Sequence, residues 1–265
     1  MNVDYINDLR KREIDMVKTR YREILEGKIV LEIGSGTGAQ LVELSELASE
    51  VVGIDLELGS YHQHADPRVR SYDGHNIPFS DNSFDVIFSS NVLEHIAHRD
   101  AFQDEIFRVL KPGGYCIHLL PSHYWRLWTS VGTFIVFPAR LSVGVASYLR
   151  TGKWELAHDL SRWLDLIVGD RHGEFGNRIT EFYHFRPSVW RRYFDQKGWS
   201  VVEMRPGGLA YEGNMILAHS IRWSPDSPLT RAIAEPSWKM RSKMSRVFGS
   251  SCYVFLLRAP EETEK

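Results

Sequence analysis

Cysteine is scarce: Cys116 and Cys252 are the only two in 265 residues. Two thiols cannot build a disulfide framework or a metal site of their own, so the chain reads as belonging to a reducing compartment. An excess of charge of one sign is also missing. Thirty-two Lys and Arg stand against 34 Asp and Glu, a net charge of −2, without the basic footprint that a general nucleic-acid binder needs. The opening MNVDYINDLRKRE has no apolar core and does not read as a secretory signal. There is no internal repeat and no low-complexity stretch. What remains is an ordinary globular composition, 43% hydrophobic and 25% charged, long enough for one large α/β domain with insertions or a domain plus a cap.

Periodicity divides the chain. Ile14, Val17, Tyr21 and Ile24 predict an amphipathic helix over 3–26 that Gly27 ends. A strand over 28–33 runs into Gly34-Ser-Gly-Thr-Gly38 and then a helix carrying Leu41, Leu44 and Leu47. Strands follow at Val51–Asp55, Val69–Tyr72 and Phe84–Ser89, then a helix over 99–110. Lys111-Pro-Gly-Gly114 reads as its terminator, before a strand at Tyr115–Leu120. Such alternation implies a doubly wound α/β fold, a parallel sheet with helices on both faces. After Pro121 the pattern breaks. Trp125, Trp128, Trp154 and Trp163 crowd this stretch with His123, His158, His172 and His184. A helix at 187–197, a strand at Ser200–Met204 and a last strand at Tyr253–Leu257 restore it. The expected organisation is an N-terminal helix on the core (1–27), a cofactor-binding half (28–120), a Trp- and His-rich helical insertion as acceptor cap (121–186), and the rest of the sheet (187–265) with a basic insertion near 206–250.

Alternating glycines between the first strand and first helix let a ligand approach the backbone closely. They do not name it. Gly34, Gly36 and Ala39 fit the dinucleotide pattern G-x-G-x-x-A, with Asp55 about 20 residues on, so an NAD-dependent enzyme is one reading. Asp85 and the pair Asp81-Asn82 read as structural, opening a strand and forming a turn.

Taken together, VLEIGSGTGAQ, VVGIDL, YDGHNIPFSDNSFDVIFSSNVLEHI and LKPGG resemble the class I S-adenosylmethionine-dependent methyltransferases, in their UbiE-like branch, over about residues 28–120. The resemblance implies a Rossmann-like seven-stranded sheet of order 3-2-1-4-5-7-6 with strand seven antiparallel. It also implies S-adenosylmethionine as cofactor and S-adenosylhomocysteine as product. Gly34, Ser35, Gly36 and Gly38 would make room for the methionine and ribose part, and Glu32 would face the cationic methionine end. Asp55, with Leu56 beside it, would accept from the ribose hydroxyls, as an acceptor-only carboxylate suits a diol. Asp73 would accept from the adenine amine, with the amides of Gly74 or His75 at the ring. Ser89, Ser90 and Asn91 would line the methionine end.

Methyl transfer needs a positioned acceptor and, for a hydroxyl, a base. His95, expected one turn into the helix after strand four, and His172 and His184 in the insertion are the candidates. No metal is expected. Ser89-Ser-Asn-Val92 lacks the signature of amine methylation on nucleic acids, which with the acidic balance points to a small-molecule or lipid-linked acceptor. The stretch from His172-Gly-Glu174 through Glu181 and His184 to Trp190 resembles methyltransferases of bacterial surface-polysaccharide pathways, and that resemblance implies a sugar hydroxyl and O-methylation. A non-catalytic module keeping the fold for binding is the other alternative. Leu127 to Leu149 has Arg140 as its one charged residue, with Pro138 close by, and Arg126, Arg150 and Lys153 flank it. Residues 228–247 hold Arg231, Lys239, Arg241, Lys243 and Arg246 against Glu235. A cytoplasmic protein with peripheral membrane contact through 126–153 and 228–247 is the resulting expectation.

Overall fold

The computed structural model describes residues 3–56, 65–153, 160–211 and 238–261. In chain order the elements are α1 (Val3–Arg20), α2 (Arg22–Leu25), β1 (Ile29–Ile33), α3 (Ala39–Leu44), β2 (Glu50–Leu56), β3 (Val69–Tyr72), β4 (Phe84–Ser90), α4 (Arg99–Val109) and β5 (Leu110–Pro121). Then come α5 (His123–Thr151), α6 (Leu160–Val168), α7 (Glu181–His184), α8 (Pro187–Gln196), β6 (Ser200–Pro206), α9 (Trp238–Phe248) and β7 (Cys252–Arg258). The chain forms two compact units. One comprises residues 2–120, 187–207 and 253–265, the other 121–186 and 208–252.

The first unit holds a seven-stranded sheet of order β3-β2-β1-β4-β5-β7-β6. The pairs among β1 to β5 are parallel, and β6 runs antiparallel to β7. This is the expected Rossmann-like topology. Side chains alternate along each strand, which separates two cores. Leu31, Ile33, Ile54 and Ile87 pack with Phe102, Ile106, Trp190 and Phe194 from α4 and α8. Val30, Val51, Val86 and Phe88 pack on the other face with Ile14, Val17, Leu41 and Leu44 from α1 and α3.

Two expectations need correction. Lys111-Pro-Gly-Gly114 is not a loop before the strand: α4 ends at Val109 and β5 begins at Leu110. The register passes from Phe84 opposite Leu110 to Val86 opposite Tyr115, so these residues bulge out of a ladder that Pro112 cannot join. His95 is not in a helix proper. It ends a 3₁₀ turn, Leu93–His95, and α4 starts at Arg99.

The second unit is built on α5. Ser122 caps its start, accepting from the amides of Tyr124 and Trp125, and Gly152 ends it with φ of +68°. The helix runs unbroken through Pro138 for 29 residues, and no described helix is long and apolar enough to cross a membrane. Arg126, read above as a surface flank, is completely buried. Its guanidinium donates to the carbonyls of Arg178, Asp170 and Gly169 at 3.1, 2.6 and 3.0 Å and pairs with buried Glu181 at 3.5 Å. Glu181 in turn accepts from the amides of His172 and Gly173 at 2.6 and 2.8 Å. Arg241 is likewise buried, donating to the Ala210 carbonyl at 3.1 Å. Trp154, His158, Arg231 and Glu235 lie outside the described residues.

Removing one member of a buried ion pair strands the other charge. Arg126→Ala is therefore expected to destabilise this unit by about 3–5 kcal/mol, read as a lowered denaturation midpoint in tryptophan fluorescence.

Candidate cofactor site

Strand alternation decides which side chains meet at the carboxyl edge of the sheet. Val30, Val51 and Phe88 face α1 and α3. Glu32, Asp55 and Ser90 lie an even number of residues further along the same strands, so they emerge on that side too.

The turn from β1 into α3 hangs from β2. The amides of Gly34 and Ser35 both donate to the Ile54 carbonyl, at 2.8 and 3.1 Å. Ser35 Oγ donates to the Glu32 carbonyl at 3.0 Å. Asp55 closes the arrangement. Its Oδ2 accepts a short hydrogen bond from the Gly36 amide, and its Oδ1 accepts from the Leu56 amide at 2.7 Å. A carboxylate has about four acceptor positions, so two amides leave capacity for a diol.

The glycines have separate reasons. A Cβ on Gly34 would overlap a methyl of Val92, whereas nothing lies within 4 Å of a Cβ placed on Gly36. Gly36 has φ of +54°, a conformation natural to glycine, and it faces open space where a ligand can lie on the backbone. Gly38 is the N-cap of α3.

Glu32 is 1% exposed and its Oε2 has no hydrogen-bond partner. Burial, with the Asp55 charge adding to it, pushes the carboxyl up to about 8. A cation placed beside it would favour its ionised form.

Further along the edge, Asp73 Oδ1 accepts from the amides of His75 and Asn76, both at 2.7 Å, and Oδ2 accepts from Asn76 Nδ2 at 2.7 Å. The bonds from Asn76 and His75 hold its carboxyl down at about 2. Asp73 thus fastens its own loop and retains acceptor capacity at Oδ2. The His75 amide is already committed to Asp73. Gly74 has φ of +82° and lies against the Leu56 side chain, which is 44% exposed. Leu56 is an apolar surface between the two acids.

Ser89 and Ser90, expected together, point to opposite faces. Ser89 is buried and its hydroxyl bonds His118 Nδ1 at 2.8 Å, on the side of α8, where the His118 ring stacks on Phe194. Ser90 Oγ accepts from Asn91 Nδ2 at 3.1 Å and from Arg10 Nη1 at 3.3 Å. Asn91 itself has φ of +56°.

Arg10 and Glu13 were not foreseen. Arg10 Nη1 also donates to buried Glu13 at 2.5 Å, bringing α1 to the tip of β4. Buried Glu94 is pushed up to about 8 by burial against the opposing pull of Arg10, and its neighbour His95 is 3.8 Å away from its carboxylate. No local pattern announces such a group, because its members are drawn from α1 and from the 3₁₀ turn some 80 residues later. His172 and His184 belong to the second unit. His172 packs on Trp125 with ring centroids 4.4 Å apart, and His184 closes α7.

An open glycine turn flanked by two acids, one buried and short of a partner, fits a cationic nucleoside. Residues 31–118 match the family described as "Methyltransferase domain". The chain carries a methyltransferase domain. A probable S-adenosylmethionine-dependent methyltransferase of Mycolicibacterium smegmatis is 33% identical over 115 residues, 42% of this chain and 45% of that protein. A demethylmenaquinone methyltransferase of Corynebacterium kroppenstedtii is 39% identical over 90 residues, 33% of this chain and 39% of that protein. A ubiquinone biosynthesis O-methyltransferase of Rhodopseudomonas palustris is 24% identical over 208 residues, 71% of this chain and 78% of its own. In fold, the crystal structure of an S-adenosylmethionine-dependent methyltransferase from Aquifex aeolicus aligns over 96% of this chain and 95% of its own, with a TM-score of 0.52 at 14% identity. The chain spans only 23% to 45% of the length of several curated relatives that it matches.

Two outcomes test the methyltransferase site. Asp55→Ala removes charge-assisted acceptors, and calorimetry should show S-adenosylmethionine binding weakened by roughly 2–4 kcal/mol. Glu32 holds a proton below about pH 8, and a bound cation favours its ionised form, so binding must expel that proton. Affinity should therefore rise with pH between about 5.5 and 7.5, by at most about tenfold per unit. Glu32→Gln should flatten that slope, and titration in buffers of different ionisation enthalpy should show proton release for the parent protein alone.

Proposed function

We propose that the chain transfers the methyl group of S-adenosylmethionine to the oxygen of a small-molecule or lipid-linked acceptor. The observation that carries this reading is the buried, partner-short carboxylate of Glu32 beside the open Gly36 turn. Such a crevice selects a nucleoside that brings positive charge. The bound cofactor supplies an electrophilic methyl on a sulfonium. The chain has to bind, orient and deprotonate. Asp55 offers lone pairs to the ribose, Leu56 an apolar surface and the Asp73 loop a rim for the adenine. Ser90 and Asn91, with Arg10 behind them, form the other end of the crevice.

Oxygen as the acceptor atom draws support from the O-methyltransferase of ubiquinone biosynthesis, the relative above that aligns with most of this chain. A lipid-linked acceptor agrees with the quinone-related names of two of the curated relatives described above. His95, His172 and His184 are the proposed bases. Each carries an imidazole, the side chain that most often serves as a general base. His172 has its backbone fixed by Glu181 and its ring against Trp125, which limits its motion.

Incubation with methyl-labelled S-adenosylmethionine and separated aqueous and lipid extracts tests the reading, with label expected in an organic-soluble, alkali-stable product. Binding of the cofactor without any transfer would favour the non-catalytic alternative. For a base, the alanine variant should lose roughly 100-fold in turnover with cofactor affinity unchanged, and the loss should be greatest where the histidine is neutral. A histidine whose variant keeps the parent pH profile is not the base.

A further inference from the structure

The helix α5 carries an apolar stripe that the described residues of its own unit leave exposed. Leu127, Val131, Phe134, Ile135, Val145 and Leu149 are exposed, Phe134 by 64%, Ile135 by 57% and Leu149 by 79%. At about 100° per residue these six fall within an arc of about 100° and extend for ~33 Å. Trp125, Thr129 and Thr133 are buried on the other side. At its far end the stripe meets exposed Arg150 and Lys153.

The helix α9 adds to the near end. Its Phe248 ring meets Trp128 edge-on at 5.7 Å, and Gly249 lies against the Tyr124 ring, so α9 ends beside the start of α5. There Val247 is 74% and Phe248 52% exposed. Lys239, Lys243 and Arg246, also exposed, follow one another at helical spacing. Neither helix contains an aspartate or glutamate, although acids outnumber bases, 34 to 32, in the chain as a whole.

We infer that α5 and the end of α9 lie flat on an anionic lipid bilayer surface, the apolar stripe entering the acyl boundary and the cations meeting the headgroups. A straight line of Phe, Ile, Leu and Val with basic residues at both ends and no acid is the layout of an interfacial helix. A negatively charged surface complements both ends at once. The inference does not rest on the acceptor proposed above, since it concerns how the second unit is seated and not what is methylated.

Vesicle flotation tests it. The full chain should float with phosphatidylcholine vesicles containing about one-third phosphatidylglycerol at low salt, and less with pure phosphatidylcholine or at high salt, where the Debye length shrinks to a few Å. The double variant Phe134→Asp/Ile135→Asp should lower flotation at least tenfold. Lys243→Glu/Arg246→Glu should remove the preference for anionic vesicles. Both change exposed positions, and an unchanged thermal unfolding midpoint certifies that the fold survives. Absence of flotation at low salt, or variants that float like the parent, would overturn the inference. So would a dimer in sedimentation that Phe134→Asp/Ile135→Asp dissociates, in a chain that does not float: the stripe would then be covered by a second copy.

Discussion

One hydrogen bond organises the cofactor edge: the Gly36 amide given to the Asp55 carboxylate. It ties the turn after the first strand to the end of the second, with the paired amides of Gly34 and Ser35 on the Ile54 carbonyl beneath it. The acid that would read a ribose also holds the backbone on which the ligand would lie. Binding surface and scaffold are the same few atoms, and the open space over Gly36 exists because this backbone is held in a left-handed conformation.

Around that bond the site carries electrostatic tension. Glu32 and Glu94 are both buried carboxyls pushed up to about 8 by loss of water. Burying ionisable groups costs stability, and proteins keep such groups where a charge must be recognised. In the second unit the same problem is solved internally. Arg126 is given carbonyl oxygens and a carboxylate, and it fixes the loop bearing His172.

The sheet was legible in the sequence because apolar runs, glycine turn and helix periodicity all agree locally, and the resemblance supplied the strand order. The two candidate acids had different sources, Asp55 its offset of about 20 residues from the glycines and Glu32 the resemblance alone, and each is the last residue but one of its strand. Other residues were misread where one local signal has two meanings. Lys111-Pro-Gly-Gly114 can stop a helix or bulge a strand, and pairing with β4, over 25 residues earlier, decides which. Arg126 reads as a surface flank until Glu181, 55 positions later, is brought against it. The split between Ser89 and Ser90 was within reach, since neighbours on a strand must face opposite sides. Arg10 was out of reach, because its partner at the tip of β4 is 80 residues away.

The place of β7 has a consequence for biosynthesis. Residues 252–258 form an interior strand, lodged between β5 and β6, and among the described residues β6 has no other neighbour in the sheet. While the ribosome still conceals those residues, β5 presents a raw edge and the aromatic side chains of α8 lack part of their packing. Pairings of such long sequence separation form slowly. A nascent chain therefore passes through an interval of exposed edge, in which chaperone capture and intermolecular pairing compete with completion of the sheet.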